Sequence, residues 1–521
     1  MKLVKILPDK IQIRTDDAEF KNACLNDLIS ISDGEVELVT MITAITDNDV
    51  ETQMDDNAIM EELEQPSLKV IECSILGSII AEKGFVQQID KYPSTDVYIS
   101  KIDKYTFSAM LQFGNTQSTF KIGNYAGYDI GAFINGNKFY QRHSCIVGNT
   151  GCGKSETVTK IVEETAKLPG ANLVIFDIHG EYSQLSYVDS IKMGEVPFPI
   201  WMLGFADMAA NVLKVKEDST LVMSALRKAY YKQCPNGNEG KPIYFDFLKF
   251  FQYVSALNNE LVETGEFYKT GEKAGQAKTV KGEYNGKLSG IVNTLQTLFD
   301  DKRYKFLFEK IMSEEKYLYV LLSRIMGGDK PVKNIDLSGI PHDIAVLIIG
   351  AITKLIYNIQ IMQKDARPIT LVCDEAHVYI PTDFQLTAAH RRMVEIFENI
   401  AKEGRKFGIT LFPATQRPSE LNKTIMAQCA NYIVMKLNNE NDKSMIKGMM
   451  PAGSADVIET TTMFSPGDCL VVGDACPIPL KIHVDLAKER PQSKTIQFWD
   501  EWSKERDSVD YADCLEEYLE N

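Results

Sequence analysis

The strongest constraint on the fold of this chain is an eight-residue segment, Gly148–Ser155, with the sequence GNTGCGKS. It follows a short apolar run, Ser144–Val147, and precedes Glu156–Ala166, a stretch with helical periodicity. A glycine-rich loop between a strand and a helix turns consecutive backbone N–H groups inward around a phosphate group, and the amino terminus of the helix adds positive potential. The order of strand, loop and helix therefore predicts an α/β domain that binds a nucleoside triphosphate.

The residues of this loop have separate expected roles, with ATP and Mg²⁺ as the implied ligands. Lys154 is expected to reach the β- and γ-phosphate oxygens, and Ser155 is expected to bind Mg²⁺. The other expected nucleotide contacts are Gly148, Asn149, Thr150, Gly151, Cys152, Gly153 and Glu156. A chance match to the pattern arises in about two of a hundred chains of this length, so the prediction depends on the strand and helix that flank the loop.

Two further apolar strands end in polar residues suited to hydrolysis. The first, Ile369–Cys373, is followed by Asp374 and Glu375. Neighbouring residues of a strand point in opposite directions, so Asp374 can face Mg²⁺ while Glu375 polarises the attacking water. Either carboxylate could instead cap a helix. The second strand, Ile409–Thr415, is followed by Gln416, which is the candidate sensor of the γ-phosphate.

Another strand end, Asp177–Tyr182, has the sequence DIHGEY and places two acids and a histidine at the expected carboxyl edge of the sheet. Ligands of open α/β proteins bind at that edge. A separate hydrolytic centre or metal site is one interpretation of this element. No other histidine or cysteine accompanies it, so a supporting role for the nucleotide or for nucleic acid is favoured.

The spacing of apolar residues indicates how the chain divides into domains. Short alternating stretches in the first 125 residues predict a small N-terminal β-barrel or sandwich. Later apolar runs alternate with helical stretches, as in a wound α/β sheet with buried parallel strands. The Gly265–Gly290 stretch is rich in glycine and lysine and predicts a flexible loop. The predicted divisions are a β domain at 1–125, an α/β core at 126–207 and 331–487, a helical insertion at 208–330 and an acidic C-terminal helix at 488–521.

Charge and composition limit the classes of partner. Acidic residues outnumber basic ones by 72 to 56, and the formal net charge is −16. Proteins that coat nucleic acid with their outer face usually have the opposite balance, so nucleic acid should meet a local basic surface such as a channel lining. Two acidic stretches, Asp47–Glu64 and Asp500–Asn521, are interpreted as solvated, mobile segments.

The location and redox state follow from three other features of the sequence. The 10 cysteines include no CxxC pair. The longest nearly apolar run, Ile344–Ile352, is far shorter than the roughly 18 residues that suggest a membrane span. The first residues, MKLVKILPDK, show no signal-peptide pattern. We therefore expect a reduced, cytoplasmic protein with no metal cage and no membrane segment.

In this order, the motifs resemble those of the HerA hexameric DNA translocases, in the HerA/FtsK branch of RecA-like motor ATPases. The resemblance extends from about residue 122 to residue 485. Its segments are Ile122–Ser155, DxHGEY at Asp177, DLSGIP at Asp336, DEAH at Asp374, EGRKFG at Glu403, TQRPSE at Thr415 and PGDCLVVGDACPIPLKI at Pro466. It implies a RecA-like P-loop core, and the N-terminal region fits the small barrel of that family by position and pattern.

The resemblance also implies a homohexameric ring with ATP between neighbouring subunits. An arginine of one subunit would reach the γ-phosphate bound by the next and neutralise transition-state charge. Arg405, in the EGRKFG motif, is the first choice for this residue. Arg417 is the second, and Arg142 is the third and a further candidate nucleotide contact.

Double-stranded DNA would pass through the centre of such a ring, held by its phosphates with little regard to sequence. The candidate lining residues form the densest basic cluster of the core, and the alternative for this cluster is a solvated helix start. They are His390, Arg391 and Arg392. The lysines of the Gly265–Gly290 loop are a looser possibility.

Motors of this type often act with a separately encoded nuclease or effector, in DNA-end processing or in defence against foreign DNA. The resemblance implies that such a partner docks on the N-terminal barrel. One alternative is an ATPase ring that regulates a partner effector without translocating DNA. Another is a secretion or conjugation pump, although these are generally tied to a membrane. An ABC-type ATPase is disfavoured because only Leu288–Ile291 partly matches the LSGG signature.

Overall fold

A computed structural model describes most of the 521 residues of the chain. The described residues are 2–15, 23–48, 68–80, 84–87, 89–94, 96–111, 118–216, 218–272, 274–309, 314–382, 388–450, 455–476, 478–493, 497–504, 511–512, 515–516 and 519. Most of the predicted acidic segment Asp47–Glu64 lies outside them, and so does much of the predicted acidic tail after residue 504.

The strands and main helices are numbered here in chain order. The strands are β1 (Lys2–Ile6), β2 (Lys10–Arg14), β3 (Leu28–Ser32), β4 (Glu37–Asn48), β5 (Leu68–Ile80), β6 (Gly84–Val86), β7 (Tyr98–Lys101), β8 (Thr119–Tyr125), β9 (Ile130–Asn135), β10 (Ser144–Val147), β11 (Leu173–Asp177), β12 (Val188–Lys192), β13 (Leu261–Phe267), β14 (Ala277–Lys281), β15 (Val332–Asp336), β16 (Ile369–Cys373), β17 (Ile409–Thr415), β18 (Asn431–Val434), β19 (Asp468–Gly473) and β20 (Lys481–Val484). The helices are α1 (Lys104–Met110), α2 (Gly136–Gln141), α3 (Lys154–Ala166), α4 (Thr220–Gln233), α5 (Phe247–Asn258), α6 (Ser289–Asp300), α7 (Lys305–Phe308), α8 (Glu314–Met326), α9 (His342–Met362), α10 (Ala388–Glu403), α11 (Lys423–Gln428), α12 (Glu440–Met449) and α13 (Phe498–Trp502).

The chain divides into two compact units, each built from several segments. The first unit consists of Met1–Ala171, Glu375–His377 and Thr410–Arg490. The second consists of Asn172–Asp374, Val378–Ile409 and Pro491–Asn521.

The N-terminal part of the first unit is an antiparallel sheet with the strand order β1-β2-β5-β4-β3-β7, and β6 pairs with β5. Its core consists of alternating aliphatic residues such as Ile11, Ile13, Ile31 and Ile71, which are fully buried. This alternation is the expected pattern for strands with one buried face. The β structure predicted for the N-terminal region is present as this open sheet. Among the described residues its first and last strands do not pair, so closure into a barrel stays a prediction.

The α/β part of the first unit is a second sheet, with the order β17-β10-β18-β19-β20-β8-β9. The central strand β10 is parallel to both of its neighbours, and the strands from β19 onward are antiparallel. All four residues of β10 are buried, as the apolar sequence of a central parallel strand predicts. Strand β8 is part of this sheet, upstream of the predicted core boundary at residue 126.

The second unit contains four parallel strands in the order β12-β15-β11-β16. Its long helix α9 is apolar enough by length and composition to cross a membrane, but 72% of its most apolar window is buried inside the protein. Aliphatic residues such as Ile348, Ile349 and Ile356 are fully buried in it. Helix α9 is thus a core helix of this unit.

The predicted insertion at 208–330 contains helices α4 to α8 and an antiparallel hairpin, β13–β14. Part of the hairpin lies where the Gly265–Gly290 stretch predicted a flexible loop, so that prediction was wrong there. Val262 pairs with Val280 across the hairpin and Glu263 pairs with Thr279. Val262, Val280 and Thr279 are β-branched and favour extended backbone. Every residue of β13 is exposed.

Candidate nucleotide-binding site

The predicted phosphate loop has the backbone that its glycines were expected to provide. Gly151 and Gly153 have φ angles of 76° and 97°, in the left-handed region that residues with a Cβ avoid. Gly153 caps the start of helix α3. A Cβ on Gly148 would lie 2.7 Å from both Cys152 Sγ and Met435 Cβ. Gly148 is therefore tightly packed against Cys152 and Met435, and the loop backbone leads directly into the start of helix α3.

Strand register places two other strand ends beside this loop. Val147, the last residue of β10, pairs with Thr415 of β17 and with Val434 of β18. The N–H of Gly148 donates to Thr415 O at 3.2 Å, and the N–H of Asn149 donates to Lys436 O at 2.9 Å. The end of β17, where Gln416 was predicted to act, thus meets the phosphate loop within the first unit.

A third segment, from the PGDCLVV motif, supports the back of the loop. The N–H of Gly467 donates to Cys152 O at 2.9 Å, and Gly467 O accepts from the N–H of Val484 at 2.9 Å. A Cβ on Gly153 would lie 3.2 Å from Gly467 N, so the two backbones approach closely. This contact gives a structural reason for the motif that the sequence analysis quoted without assigning it a role.

The central contact of the site joins Lys154 to Glu375. Lys154 Nζ donates to Glu375 Oε1 at 2.5 Å, and the two side chains are only 8% and 12% exposed. Burying a lysine needs a compensating charge, and Glu375 supplies it. Glu375 has a φ of 45°, which is uncommon for a residue with a side chain and is found most often where function requires it. The structure therefore brings the predicted phosphate-binding lysine and the predicted water-polarising carboxylate together.

His377 and Thr415 complete this arrangement, and the sequence analysis assigned neither of them a role. His377 Nδ1 lies 3.4 Å from Glu375 Oε2 and 3.1 Å from Thr415 Oγ1. Thr415 Oγ1 also accepts from the N–H of Arg417 at 3.0 Å. Burial lowers the pKa of His377 below its usual value, against the opposing effect of Glu375. The available signal was the histidine of the DEAH motif, three residues after Asp374.

Gln416 contacts the phosphate loop directly. The hydroxyl of Thr150 donates to Gln416 Oε1. This places the predicted sensor amide on the part of the loop that precedes Lys154, which is consistent with a group that responds to the terminal phosphate.

Glu156, in the first turn of α3, was predicted to contact the nucleotide. Its carboxylate accepts from Arg490 Nε at 3.0 Å. The side chain of Glu156 is therefore engaged by the C-terminal end of the first unit, and its backbone N–H at the helix start is the group suited to a phosphate.

The three candidate arginine fingers occupy different places. Arg417 follows β17, and its guanidinium pairs with Glu420 at 3.0 Å. Arg142 precedes β10, whereas the phosphate loop follows that strand, so about 13 Å of strand separates the two. Arg142 pairs with Asp474 at 3.3 Å. Arg405 lies in the second unit, in a turn before β17, and is exposed. Among the described residues, the Arg405 guanidinium makes no hydrogen bond or ion pair.

The donor types for Mg²⁺ are present, in two places. Ser155 lies in the first turn of α3 in the first unit. Asp374 follows β16 in the second unit and is 2% exposed. No group of three or more His, Cys, Asp or Glu residues forms a metal cage in the described part of the chain. A phosphate-loop Mg²⁺ does not need one, because phosphate oxygens and waters complete its shell. A serine hydroxyl and an aspartate carboxylate are each ligand types that Mg²⁺ accepts.

The DxHGEY element of the second unit is organised around Asp177. Its fully buried carboxylate accepts from the N–H groups of Gly180, Glu181 and Tyr182 at 2.8 to 3.1 Å. Asn334 Nδ2 donates to it at 3.0 Å. Burial raises the pKa of Asp177, and these hydrogen bonds oppose that effect. The carboxylate thus shapes a loop, and the interpretation of this element as a separate hydrolytic or metal centre gains no support.

The predicted DNA-lining cluster lies on helix α10 of the second unit. The side chain of His390 lies outside the described residues, and Arg391 is exposed. Arg392 Nη1 lies 3.6 Å from Asp207 Oδ1, and Lys354 Nζ lies 3.7 Å from Asp207 Oδ2. The two cations therefore share one carboxylate, which reduces the positive potential expected of Arg392.

Comparisons with known proteins relate the chain to the HerA helicases. Residues 120–356 match the family model of the central domain of helicase HerA. The chain is 24% identical over 416 residues to the DNA double-strand break repair helicase HerA of Sulfurisphaera tokodaii, covering 77% of this chain and 76% of that protein. It is 24% identical over 392 residues to a probable helicase of Methanocaldococcus jannaschii, covering 72% and 69% of the two chains.

A solved structure shares the fold. VirB4 of Thermoanaerobacter pseudethanolicus aligns with a TM-score of 0.50 at 15% identity, over 72% of this chain and 98% of VirB4. At that identity the likeness concerns the α/β fold alone. The chain is therefore a relative of the HerA helicases, and its residues 120–356 belong to the family of the HerA central domain.

Proposed function

We propose that this protein hydrolyses ATP and uses the free energy to move double-stranded DNA through a homohexameric ring. The observation that carries the proposal is the buried contact between Lys154 and Glu375. It joins, in one chain, a phosphate-binding lysine and a carboxylate suited to activate water. The HerA relationship supports DNA as the polymer that is moved.

In this proposal, binding of ATP rearranges the contacts of Lys154. The backbone N–H groups of Gly148–Ser155 surround the phosphates, and Lys154 leaves Glu375 for the β- and γ-phosphate oxygens. Glu375 is then free to accept a hydrogen bond from the attacking water, while Gln416 senses the terminal phosphate. When bound, Mg²⁺ neutralises phosphate charge, and Ser155 and Asp374 are the residues proposed to hold it.

In the proposed ring, an arginine of a neighbouring subunit supplies the positive charge that stabilises the transition state at the γ-phosphate. Arg405 is exposed, and its guanidinium makes no hydrogen bond or ion pair among the described residues. An exposed guanidinium of this kind is suited to reach the nucleotide of a neighbouring subunit. Arg405 is accordingly the proposed finger, with Arg417 and Arg142 after it, and its removal is expected to lower turnover by about 10³-fold or more.

DNA is proposed to be held by its phosphates through His390, Arg391 and Arg392. The guanidinium of Arg392 also lies 3.6 Å from Asp207 Oδ1. Each phosphate contact steepens the fall of DNA affinity with salt by about 0.9 on logarithmic axes. Titration of labelled duplex DNA at several salt concentrations measures that slope. A flat response would remove the DNA assignment while leaving the ATPase proposal intact.

The predicted domain limits complete the proposal. The RecA-like motor is assigned to 126–207 and 331–487, the insertion to 208–330 and the acidic C-terminal helix to 488–521. The β region at 1–125 is proposed to close into a small barrel that docks a separate nuclease or effector, in DNA-end processing or anti-phage defence. We propose a cytoplasmic location, in keeping with the similarity to HerA DNA repair helicases.

Two substitutions test the ATPase proposal. Lys154→Ala removes the phosphate contact and should abolish both nucleotide binding and hydrolysis. Glu375→Gln keeps the shape of the side chain but removes its charge, and should retain ATP binding while turnover falls by about 10²-fold or more. Phosphate release with and without duplex DNA measures turnover, and a fluorescent ATP analogue measures binding.

The matched control is Lys167→Ala, which changes an exposed lysine just after the same helix, α3. It should leave both measurements unchanged. Full turnover by the Glu375→Gln variant would contradict the assigned role of Glu375. ATP hydrolysis that duplex DNA does not stimulate would favour the alternative, a ring that regulates a partner without translocating DNA.

A further inference from the structure

The imidazole of His377 contacts two parts of the candidate nucleotide-binding site, the carboxylate of Glu375 and the end of strand β17. Its Nδ1 lies 3.4 Å from Glu375 Oε2 and 3.1 Å from Thr415 Oγ1. The imidazole is largely buried, with a side-chain exposure of 10%. A buried polar ring needs hydrogen-bond partners, and these two groups face the same nitrogen.

The two oxygens of Glu375 are held in different ways. Oε1 accepts from Lys154. Oε2 is buried and has no hydrogen-bond partner among the described residues, and His377 Nδ1 lies 3.4 Å from it. A buried carboxylate oxygen favours a nearby donor, which places the proton of the neutral imidazole on Nδ1. When Lys154 moves to a phosphate, His377 is the contact that remains for this carboxylate.

Glu375 needs such a restraint because of its backbone. Its φ of 45° lies in the left-handed region, which is unfavourable for a residue with a side chain. A strained residue keeps its orientation only if surrounding contacts hold it there. With the ion pair to Lys154 broken, the side chain would lose its strongest recorded anchor at the moment when it must hold a water molecule.

The other contact of His377 leads to the sensor. Thr415 Oγ1 accepts from the N–H of Arg417, and Gln416 lies between these two residues and receives a hydrogen bond from Thr150. A shift of the imidazole therefore acts on the backbone that carries Gln416. The geometry connects the carboxylate that activates water with the amide proposed to sense the γ-phosphate.

We propose that His377 is a positioning residue that holds Glu375 in its hydrolytic orientation after ATP has drawn Lys154 away. Through Thr415, His377 also couples this orientation to the end of strand β17, which precedes the proposed sensor Gln416. The inference rests on the proposed ATPase function. It assigns His377 no contact with the nucleotide, so loss of the imidazole should affect turnover and spare binding.

Two substitutions at the same position separate positioning from packing. His377→Leu fills the space but removes the polar nitrogen, and should lower kcat by about 100-fold, the effect of a misplaced catalytic group. Its affinity for a fluorescent ATP analogue should stay within about threefold of the wild type. His377→Asn puts a side-chain amide near the position of Nδ1 and should recover most of the lost kcat. The matched control is His342→Leu, at an exposed histidine at the start of α9.

Thr415→Val tests the same contact from its other side and serves if the His377→Leu variant does not fold. It should lower kcat with little change in ATP affinity, and the double variant should be no slower than His377→Leu alone. Unchanged kcat in the His377→Leu variant would overturn the inference. Equal loss of ATP affinity and kcat, or failure of the asparagine to restore kcat, would also overturn it. Absence of ATP hydrolysis by the wild-type protein would instead refute the proposed function.

Discussion

At the scale of single residues, two buried lysines show how differently the chain treats a buried positive charge. Lys154 has a carboxylate partner in Glu375. Lys333, in β15, is 1% exposed and donates to two neutral oxygens, Asn172 Oδ1 at 2.6 Å and Gly327 O at 2.8 Å. Burial, and to a lesser extent the nearby Arg367, lower the pKa of Lys333 to about 8. The charge of Lys333 therefore opposes folding at neutral pH.

The free energy of unfolding should consequently rise with pH over a defined range. Between pH 8 and 10.5 the unfolded chain keeps the Lys333 proton while the folded chain releases it, so the free energy of unfolding rises with pH there. Below pH 8 both states carry the proton and the full cost is present. The total gain is about 3 kcal/mol for this lowering of the pKa.

Lys333→Met removes this titration and leaves other groups in place, so subtracting the two curves isolates it. Denaturant unfolding at pH 7 and pH 10 should show the wild type gaining stability relative to the variant. If the free energy of unfolding changes equally in both proteins between pH 7 and pH 10, the pKa of Lys333 is not lowered.

A second residue-scale prediction concerns Gly148. Alanine there would place Cβ 2.7 Å from Cys152 Sγ and Met435 Cβ, which requires the loop to move. Relief of such overpacking typically costs 1 to 3 kcal/mol, so ATP affinity should fall about tenfold. Gly170→Ala is the control, because a Cβ there meets nothing within 4 Å. Wild-type affinity of the Gly148→Ala variant would mean that the loop tolerates the shift.

At the scale of elements, the loop after β11 depends on one side chain. Asp177 accepts three backbone N–H groups and Asn334 Nδ2. Asp177→Ala leaves these donors without that acceptor and should lower the free energy of unfolding by about 3 kcal/mol. Asp177→Asn keeps one acceptor oxygen and should lose less. Thermal unfolding measures both, and equal stability of the three proteins would contradict this role.

The sequence predicted the elements of the site well where a local pattern decides them. The apolar runs before Gly148–Ser155, Glu375 and Gln416 are strands, and register brings the ends of β10 and β17 together. Residues whose role depends on contacts across the fold were missed. His377 and Thr415 meet because β17 ends beside the DEAH turn, and nothing in their spacing of 38 residues indicates it.

Two other elements show the same limit. The hairpin β13–β14 was predicted as a loop, because glycines such as Gly265 and Gly275 and the lysines of this stretch resemble linker composition. Asp207, far away in sequence, lies 3.6 Å from Arg392, and the sequence pattern did not predict this contact. Long-range partners of exposed charges leave no periodic signal in the sequence.

At the scale of the whole molecule, the proposed ring predicts which chains supply the groups of one ATP site. Lys154 and Glu375 belong to the same chain and touch. Arg142, in the same unit, lies before β10, whereas the phosphate loop follows β10. Arg142 is therefore not at the strand end that carries the phosphate loop of its own chain. If Arg405 or Arg142 acts on a γ-phosphate in the proposed ring, that nucleotide is expected to belong to another copy of the chain.

Mixing two inactive variants tests this arrangement. Lys154→Ala lacks the phosphate lysine, and Arg405→Ala lacks the proposed finger. If the two groups of one site come from neighbouring subunits of a cyclic ring, random 1:1 assembly leaves about a quarter of the sites with both groups intact. Rings formed by co-expression should therefore recover a measurable fraction of wild-type phosphate release, up to about that share.

The control is a mixture of Lys154→Ala with Glu375→Gln, whose groups contact each other within one chain. Each chain of that mixture lacks one of the two groups, so no site is complete and no activity should return. Recovery in the first mixture alone requires a finger supplied by a neighbour, because a finger acting within its own chain would leave both mixtures inactive. Activity in both mixtures would show that the Lys154 and Glu375 of one site come from different chains, against the 2.5 Å contact between them.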